Sequence, residues 1–483
     1  MNKQSTDVKR IQAIYFLYLF IPVLSLFLLS LVSSKNLFLS LPTWSDELDY
    51  FRETYSFSEN GFDFGGSLFV GEDAKIGPLG GHSFSPVVVY GLWALILPFS
   101  EHTILYVNLV LLSLAMLAFA LIVRPRGFNL FFSCFLFLLF PPLLNYLYTS
   151  MLEVPLYAGL IVYFSLFYAY SKEKKKSVFI WMLITGIFVT LIRMPYVVVL
   201  FPAIMALGDY RFNKKTWLKL LVYVVSFLTV YKFYNLFCAN YPDWVTAKIT
   251  AADGIAGKLK VIYSNTKENI YRFFSFSIES PMQIVLRYVY GILVALTGVL
   301  SFVKQENKRL KLCFNGFWFS LFVMAGGLLC IMVCLYDIKD YRDYRTFAPI
   351  ALFLMLTVIS FTKKPLVRAV PVVTFLLLII FSDVNVLLAD REIGVVSERV
   401  TGFEELENDS GLKLGATMDV NWGDVSLLKS IPSKIGYQVF YNGIDEDNID
   451  MVDYILTGGK LTDTKVVLLS EIEGYGYLYR VVK

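Results

Sequence analysis

The sequence predicts an all-α polytopic membrane domain of about eleven transmembrane helices, with juxtamembrane helices in its first outer loop, followed by a small C-terminal α/β domain outside the membrane. Three observations predict it. The 483 residues are 57% hydrophobic and 17% aromatic but only 17% charged, too apolar for a soluble globular chain. The apolar residues fall in blocks about 20 residues wide, the length a helix needs to cross a bilayer, and not in the alternating runs of a membrane barrel. The charge also divides: residues 390–483 hold 17 acidic and 9 basic residues, against 22 and 34 before them. A basic membrane part follows from Lys and Arg collecting in cytoplasmic loops, so it implies no nucleic-acid partner.

The first apolar block, residues 11–32, follows Lys3, Lys9 and Arg10 and lacks a small-residue cleavage pattern, so it reads as a signal anchor with its amino end inside. Further blocks lie at 86–99, 103–123, 128–148, 154–170, 178–192, 195–207, 217–237, 283–303, 312–335, 346–361 and 369–388. If all of them crossed, most basic clusters would face outward. Treating Pro86 to Ser100 as a juxtamembrane segment, bounded by Pro86 and Pro98 and holding Tyr90 and Trp93, removes the conflict. The inner loops are then 124–127, 171–177, 208–216, 304–311 and 362–368, and every basic cluster is cytoplasmic. The expectation is a multi-pass cell-membrane protein with a cytoplasmic amino terminus, a membrane domain over 1–389 and an extracytoplasmic domain over 390–483.

In that last domain, strand-like runs stand at Lys413 to Met418, Tyr437 to Tyr441, Lys465 to Leu469 and Tyr475 to Val482, with helical patterns at 423–430 and 445–456. It holds no GxGxxG, Walker or triad pattern. Two His are too few for a histidine-built metal centre, and the five Cys form no CxxC pair or disulfide framework.

Chemistry-bearing residues gather in the outer segments. Asp46 and Glu47 open a helical pattern in which Leu48, Phe51 and Tyr55 share one face, as in a helix lying on the membrane surface. The pair either caps that helix, with Ser45 or Asp46 as N-cap, or supplies a base toward a hydroxyl acceptor. His82 closes a stretch holding seven Gly between Gly61 and Gly81, and is either solvated or oriented toward an acceptor or a lipid phosphate. Glu153 sits in a short outer turn and Arg193 between two apolar blocks, each solvated or facing a cavity. In Tyr336 to Arg345, Arg342 and Arg345 are one helical turn apart, a spacing that suits a substrate phosphate, a lipid headgroup or a solvated hinge; Arg287 is a weaker candidate for the same anion.

This layout resembles the glycosyltransferase C superfamily, and within it the aminoarabinose transferase and protein O-mannosyltransferase branch, over about residues 1–361. Asp46-Glu47 with Tyr50 matches the acidic pair of that family's first outer loop, His82 to Pro86 its His/Pro-rich stretch, and Glu153 the acid of its next outer loop. Arg342 to Pro349 loosely matches an Arg-Tyr element before a Pro-bearing span, although Tyr-Arg-Asp-Tyr-Arg is not a clean Arg-Tyr. The resemblance implies an inverting transfer from a polyprenyl-phosphate-linked sugar to a glycan, lipid or protein acceptor among membrane lipids. Asp46 or Glu47 would act as the base, and Arg342, Arg345 or Arg193 would steady the phosphate. The resemblance fixes no cofactor and leaves open a divalent metal held by Asp46 and Glu153, because some members use one. The rival reading is a polysaccharide or lipid-linked oligosaccharide polymerase or transporter.

Overall fold

The computed structural model describes residues 14–68, 85–211, 215–236, 245–275, 280–306, 309–336, 338, 341–389, 391–396, 399–440, 443–444 and 449–483. It is mostly helical. Among the described residues, seven helices are long and apolar enough to cross a membrane: α1 (Ile14–Ser33), α3 (Thr103–Val123), α6 (Glu153–Glu173), α9 (Thr216–Asn235), α11 (Pro281–Phe302), α12 (Gly316–Cys334) and the Asp343–Phe361 segment containing α13 (Ala348–Phe361). α4 (Phe128–Leu139) and α5 (Pro141–Leu147) together form an eighth, bent by 44°. The bend falls where Pro141 follows Phe140, whose extended ψ of 102° ends α4. The chain is thus a multi-pass membrane protein with seven or eight candidate spans, not eleven.

The difference has a backbone cause. α7 (Lys176–Ile192) stops at 17 residues because Arg193 is extended, with φ −145° and ψ 117°, and at a rise of about 1.5 Å per residue it reaches only ~26 Å of a core of about 30 Å. α8 (Met194–Ala206) begins as a 3₁₀ turn around Pro195, and α14 (Pro365–Ile380) has 16 residues. Within the bundle, 83% of the Asp343–Phe361 span and 72% of α6 is enclosed against 11% of α9, so the first two are central and α9 peripheral. The 86–100 block is not among the candidate spans. It folds as a π-helical turn, Val87–Gly91, running into Leu92–Ala94.

That turn packs on α2 (Ser45–Asn60) so closely that a Cβ on Gly91 would stand 2.7 Å from the Phe57 ring. Burial on α2 is wider than one apolar face: Leu48, Phe51 and Tyr55 are buried as their spacing predicts, but so are Arg52, Glu53, Thr54 and Ser56 on the other faces, and the C-terminal domain covers Arg52. The N-cap is Trp44, not Ser45 or Asp46.

The C-terminal domain is a six-stranded sheet in the order β1-β5-β4-β6-β8-β7. β4 (Lys413–Thr417) pairs in parallel with β5 (Gly436–Phe440) and β6 (Tyr454–Thr457), and β8 (Gly476–Val481) runs antiparallel between β6 and β7 (Val466–Ile472). α15 (Val425–Ser430) forms where a helix is expected. The other expected helix, 445–456, does not: residues 449–451 make one 3₁₀ turn and Tyr454–Thr457 is a strand, while 445–448 lie outside the described residues. All four residues of β6 are buried, which two-sided burial between β4 and β8 allows and a surface helix would not. The edge strand β1 (Ser67–Leu68) comes from the first loop and aligns in parallel beside β5, Ser67 opposite Tyr437. The basic loop 304–311 contributes a hairpin of β2 (Val303–Glu306) and β3 (Arg309–Leu312).

Candidate functional site: a carboxylate–arginine cluster at one end of the bundle

The first turn of α2 separates its two acids. Glu47 is fully buried: Oε2 accepts from the N–H groups of Thr43 at 3.0 Å and Trp44 at 3.1 Å, and Oε1 from Ser150 N at 2.5 Å. The Arg391 guanidinium closes on the same carboxylate, Nη1 to Oε2 at 2.6 Å and Nη2 to Oε1 at 2.9 Å. Arg391 is itself held by Thr43 Oγ1, the Ser40 hydroxyl and Tyr148 O, and sits between the Trp44 and Tyr148 rings. Glu47 is therefore a tie between α2, the turn before α6 and the start of the C-terminal domain, with both oxygens committed.

Asp46 is the acid that reaches open space. Its side chain is 36% exposed, and Oδ2 stands 3.2 Å from Arg345 Nη2. Arg345 Nε in turn is 2.9 Å from Glu153 Oε1, which Arg193 Nη2 also approaches to 2.9 Å. Glu153 is the first residue of α6, Arg193 follows the last residue of α7, and Arg345 lies in the 3₁₀ turn leading into α13. Helix ends from four elements thus bring two carboxylates and two guanidiniums into one chain, Asp46–Arg345–Glu153–Arg193, whose formal charges cancel. Arg193 Nη1 also reaches Thr346 Oγ1 at 3.3 Å, and Tyr196 Oη donates to Thr346 O at 2.6 Å.

Tyrosines wall the cluster. Tyr50, 1% exposed, lies one turn after Asp46. Burial and the Asp46 carboxylate push its phenol well above the usual range against the opposing pull of Arg193, so it stays a neutral donor. Tyr336 is pushed up to about 12 by burial and by Asp343, with Arg193 and Arg345 opposing.

Of the residues singled out in the sequence, Asp46, Tyr50, Glu153, Arg193 and Arg345 meet here, and Glu47 stands behind them in its own ion pair. His82 and the Arg342 side chain lie outside the described residues. Arg287 is elsewhere: it donates to Arg272 O and Ser275 O and packs on the Phe273, Tyr288 and Tyr344 rings. Sequence reading missed Arg391 and Arg52. The only signal for Arg391 was a cation set in an acidic tail directly after the last apolar block.

A resident divalent cation does not fit this donor set. Among the described residues no three His, Cys, Asp or Glu side chains converge. The two carboxylates present already share Arg345, so their charge is balanced by guanidinium. No protein-family model matches the chain, and neither does any curated protein.

Proposed function

We propose that this protein is an integral membrane glycosyltransferase that moves a sugar from a polyprenyl-phosphate donor to a hydroxyl of an envelope glycan, lipid or protein. In this reading the cluster faces the extracytoplasmic side of the cell membrane, with the amino terminus cytoplasmic. The observation that carries it is the asymmetry of the Asp46–Arg345–Glu153 chain: one carboxylate 36% exposed, one buried at 2% exposure, and the Arg345 guanidinium bridging them.

A carboxylate paired with Arg is a weak base, and an Arg paired with two carboxylates is a poor anion receptor. A phosphate entering beside Arg345 changes both. The planar fork of Arg345 turns from Asp46 to phosphate oxygen while Glu153 keeps hold of its Nε, and Asp46, without that counter-charge, becomes a stronger base. Asp46 then takes the proton of the acceptor hydroxyl as that oxygen bonds to the anomeric carbon. The bond from that carbon to the phosphate oxygen breaks, and its electron pair leaves on the phosphate, where Arg345 and Arg193 meet the charge. Attack from the face opposite the leaving group inverts the anomeric centre.

A transporter or polymerase needs no single indispensable carboxylate at this place, and transporters concentrate ionisable groups at mid-membrane depth. Glu153, Arg193 and Arg345 all stand at helix ends. The test is mass spectrometry of envelope glycans and lipid-linked sugars from a deletion strain complemented with wild type or with Asp46→Asn at equal abundance. Accumulated donor and a missing sugar with Asp46→Asn support transfer; full restoration removes Asp46 as the base and favours the polymerase or transporter.

A further inference from the structure

Among the described residues, α10 (Gly254–Phe274) is the long helix outside the candidate spans that leaves a wide apolar face open. At 100° per residue Ile255, Leu259, Tyr263, Ile270 and Phe274 fall within an arc of about 100°, and each is 45% to 80% exposed. The neighbouring arc holds Lys260, Ser264, Lys267 and Glu268, all exposed. The third side is bolted to the bundle. Asn269, 1% exposed, donates through Nδ2 to Tyr336 O at 2.7 Å and Val333 O at 3.0 Å, and Asn265 donates to Cys334 O and Tyr336 O, both at 3.1 Å. Val333 O and Cys334 O are carbonyls that the end of α12 leaves without helical partners, and Tyr336 O follows them. Arg287 of α11 fastens the C-terminal end of the same half through Arg272 O and Ser275 O.

The geometry points to a lipid-docking helix: α10 lies in the headgroup layer at the end of the bundle that carries the carboxylate–arginine cluster, its apolar arc in the acyl boundary and its lysines on anionic lipid headgroups. Two relationships select the bilayer as the occupant. α10 is tied to two candidate spans, α11 and α12, which carry exposed apolar residues of their own, among them Ile292, Val299 and Cys330. The charge is also complementary. Glu268 is paired with Arg272, whereas Lys258, Lys260 and Lys267 are exposed and make no ion pair among the described residues, the pattern that draws a helix to an anionic surface. The contact passes inward through Tyr336, whose backbone both asparagines hold and whose phenol feels Arg193 and Arg345. Nothing in this depends on the transferase reading.

The experiment places benzoylphenylalanine at Leu259, Tyr263 or Phe274, and as a control at Ser264, in the full-length protein. The protein is reconstituted in nanodiscs of phosphatidylcholine with or without phosphatidylglycerol, and photo-adducts are read by mass spectrometry. Lipid adducts at the first three positions and none at Ser264 are expected, with phosphatidylglycerol over-represented. Changing Lys258, Lys260 and Lys267 together to Glu should lower the phosphatidylglycerol share by about fivefold or more, the factor that one lysine at an anionic surface corresponds to. Adducts to protein, whether a second copy or another segment of this chain, overturn the proposal, as do lipid-free adducts at all three positions. Equal yields from the two lipids overturn its anionic part.

Discussion

Arg391 and Glu47 meet in a two-point ion pair, at 2.6 and 2.9 Å, across 344 residues of sequence, with both side chains at 1% exposure or less. Taking one partner from such a pair leaves a buried charge uncompensated, whereas the intact pair contributes little beyond a well-packed apolar replacement. Arg391→Ala should therefore cost about 3–5 kcal/mol, and Arg391→Met combined with Glu47→Gln should cost less than Arg391→Ala alone. Thermal unfolding of the purified variants followed by tryptophan fluorescence decides it. A small loss in Arg391→Ala would mean that the pair is not what holds α2 in place.

Asp46 and Glu153 should part company when each is neutralised. Asp46→Asn removes an open carboxylate and should leave the unfolding temperature nearly unchanged while sugar transfer falls ~10²–10⁴-fold. Glu153→Gln strips the buried counter-charge from both Arg193 and Arg345 and should lower the unfolding temperature as well as activity. Measuring transfer and thermal unfolding on the same preparations separates the two roles, and equal destabilisation by both variants would contradict them.

Arg52 donates to four backbone carbonyls of the C-terminal domain, those of Leu428, Ile431, Pro432 and Ile435, at 2.7 to 3.1 Å. Burial pulls its guanidinium down to about 10, so it is still a cation at neutral pH. Arg52→Met keeps the bulk and abandons the carbonyls, each bond to a charged donor contributing ~1.5–3 kcal/mol. Hydrogen exchange should rise sharply over residues 425–440 and little within α6 or α13. Unchanged exchange in 425–440 would show that apolar packing alone seats the domain.

Acid should loosen the same junction. Burial opposes ionisation of Glu101, but its own backbone N–H and that of Val396, with Lys429 at 3.3 Å, outweigh it and hold the carboxyl below its ordinary 4.5. Because the folded value is the lower one, the contribution is complete above about 4.5 and disappears as pH falls through the folded value. Unfolding temperatures taken from neutral pH down through that window should drop less steeply in Lys429→Met than in wild type.

Much of this molecule could be read from composition and spacing, and what could not depends on pairings far apart in the chain. The apolar blocks marked where helices would form, including the break at Arg193 between 178–192 and 195–207, but counting each block as a full span overlooked that the pieces on either side of that extended residue are too short. Spacing brought Asp46 and Glu47 forward together. Only Arg391 assigns one to structure and leaves the other open, and no local signal connects residues 47 and 391. The apolar arc of α2 was legible, whereas its polar positions gave no sign that a second domain would bury them. Tyr454 to Thr457 reads as the end of a helical pattern until β4 and β8 flank it.

The strand Ser67–Leu68 carries a consequence for the order in which the protein is made. A ribosome delivers it, together with α2, long before β5 exists to receive it, and the counter-ion of Glu47 emerges later still than every candidate span. Until residue 435 has been synthesised, Arg52 of α2 lacks its four backbone acceptors. The seat of α2 is therefore completed last, by the final fifth of the chain folding back onto the first, and a truncated translation product would insert its apolar helices with α2 held only by the membrane part.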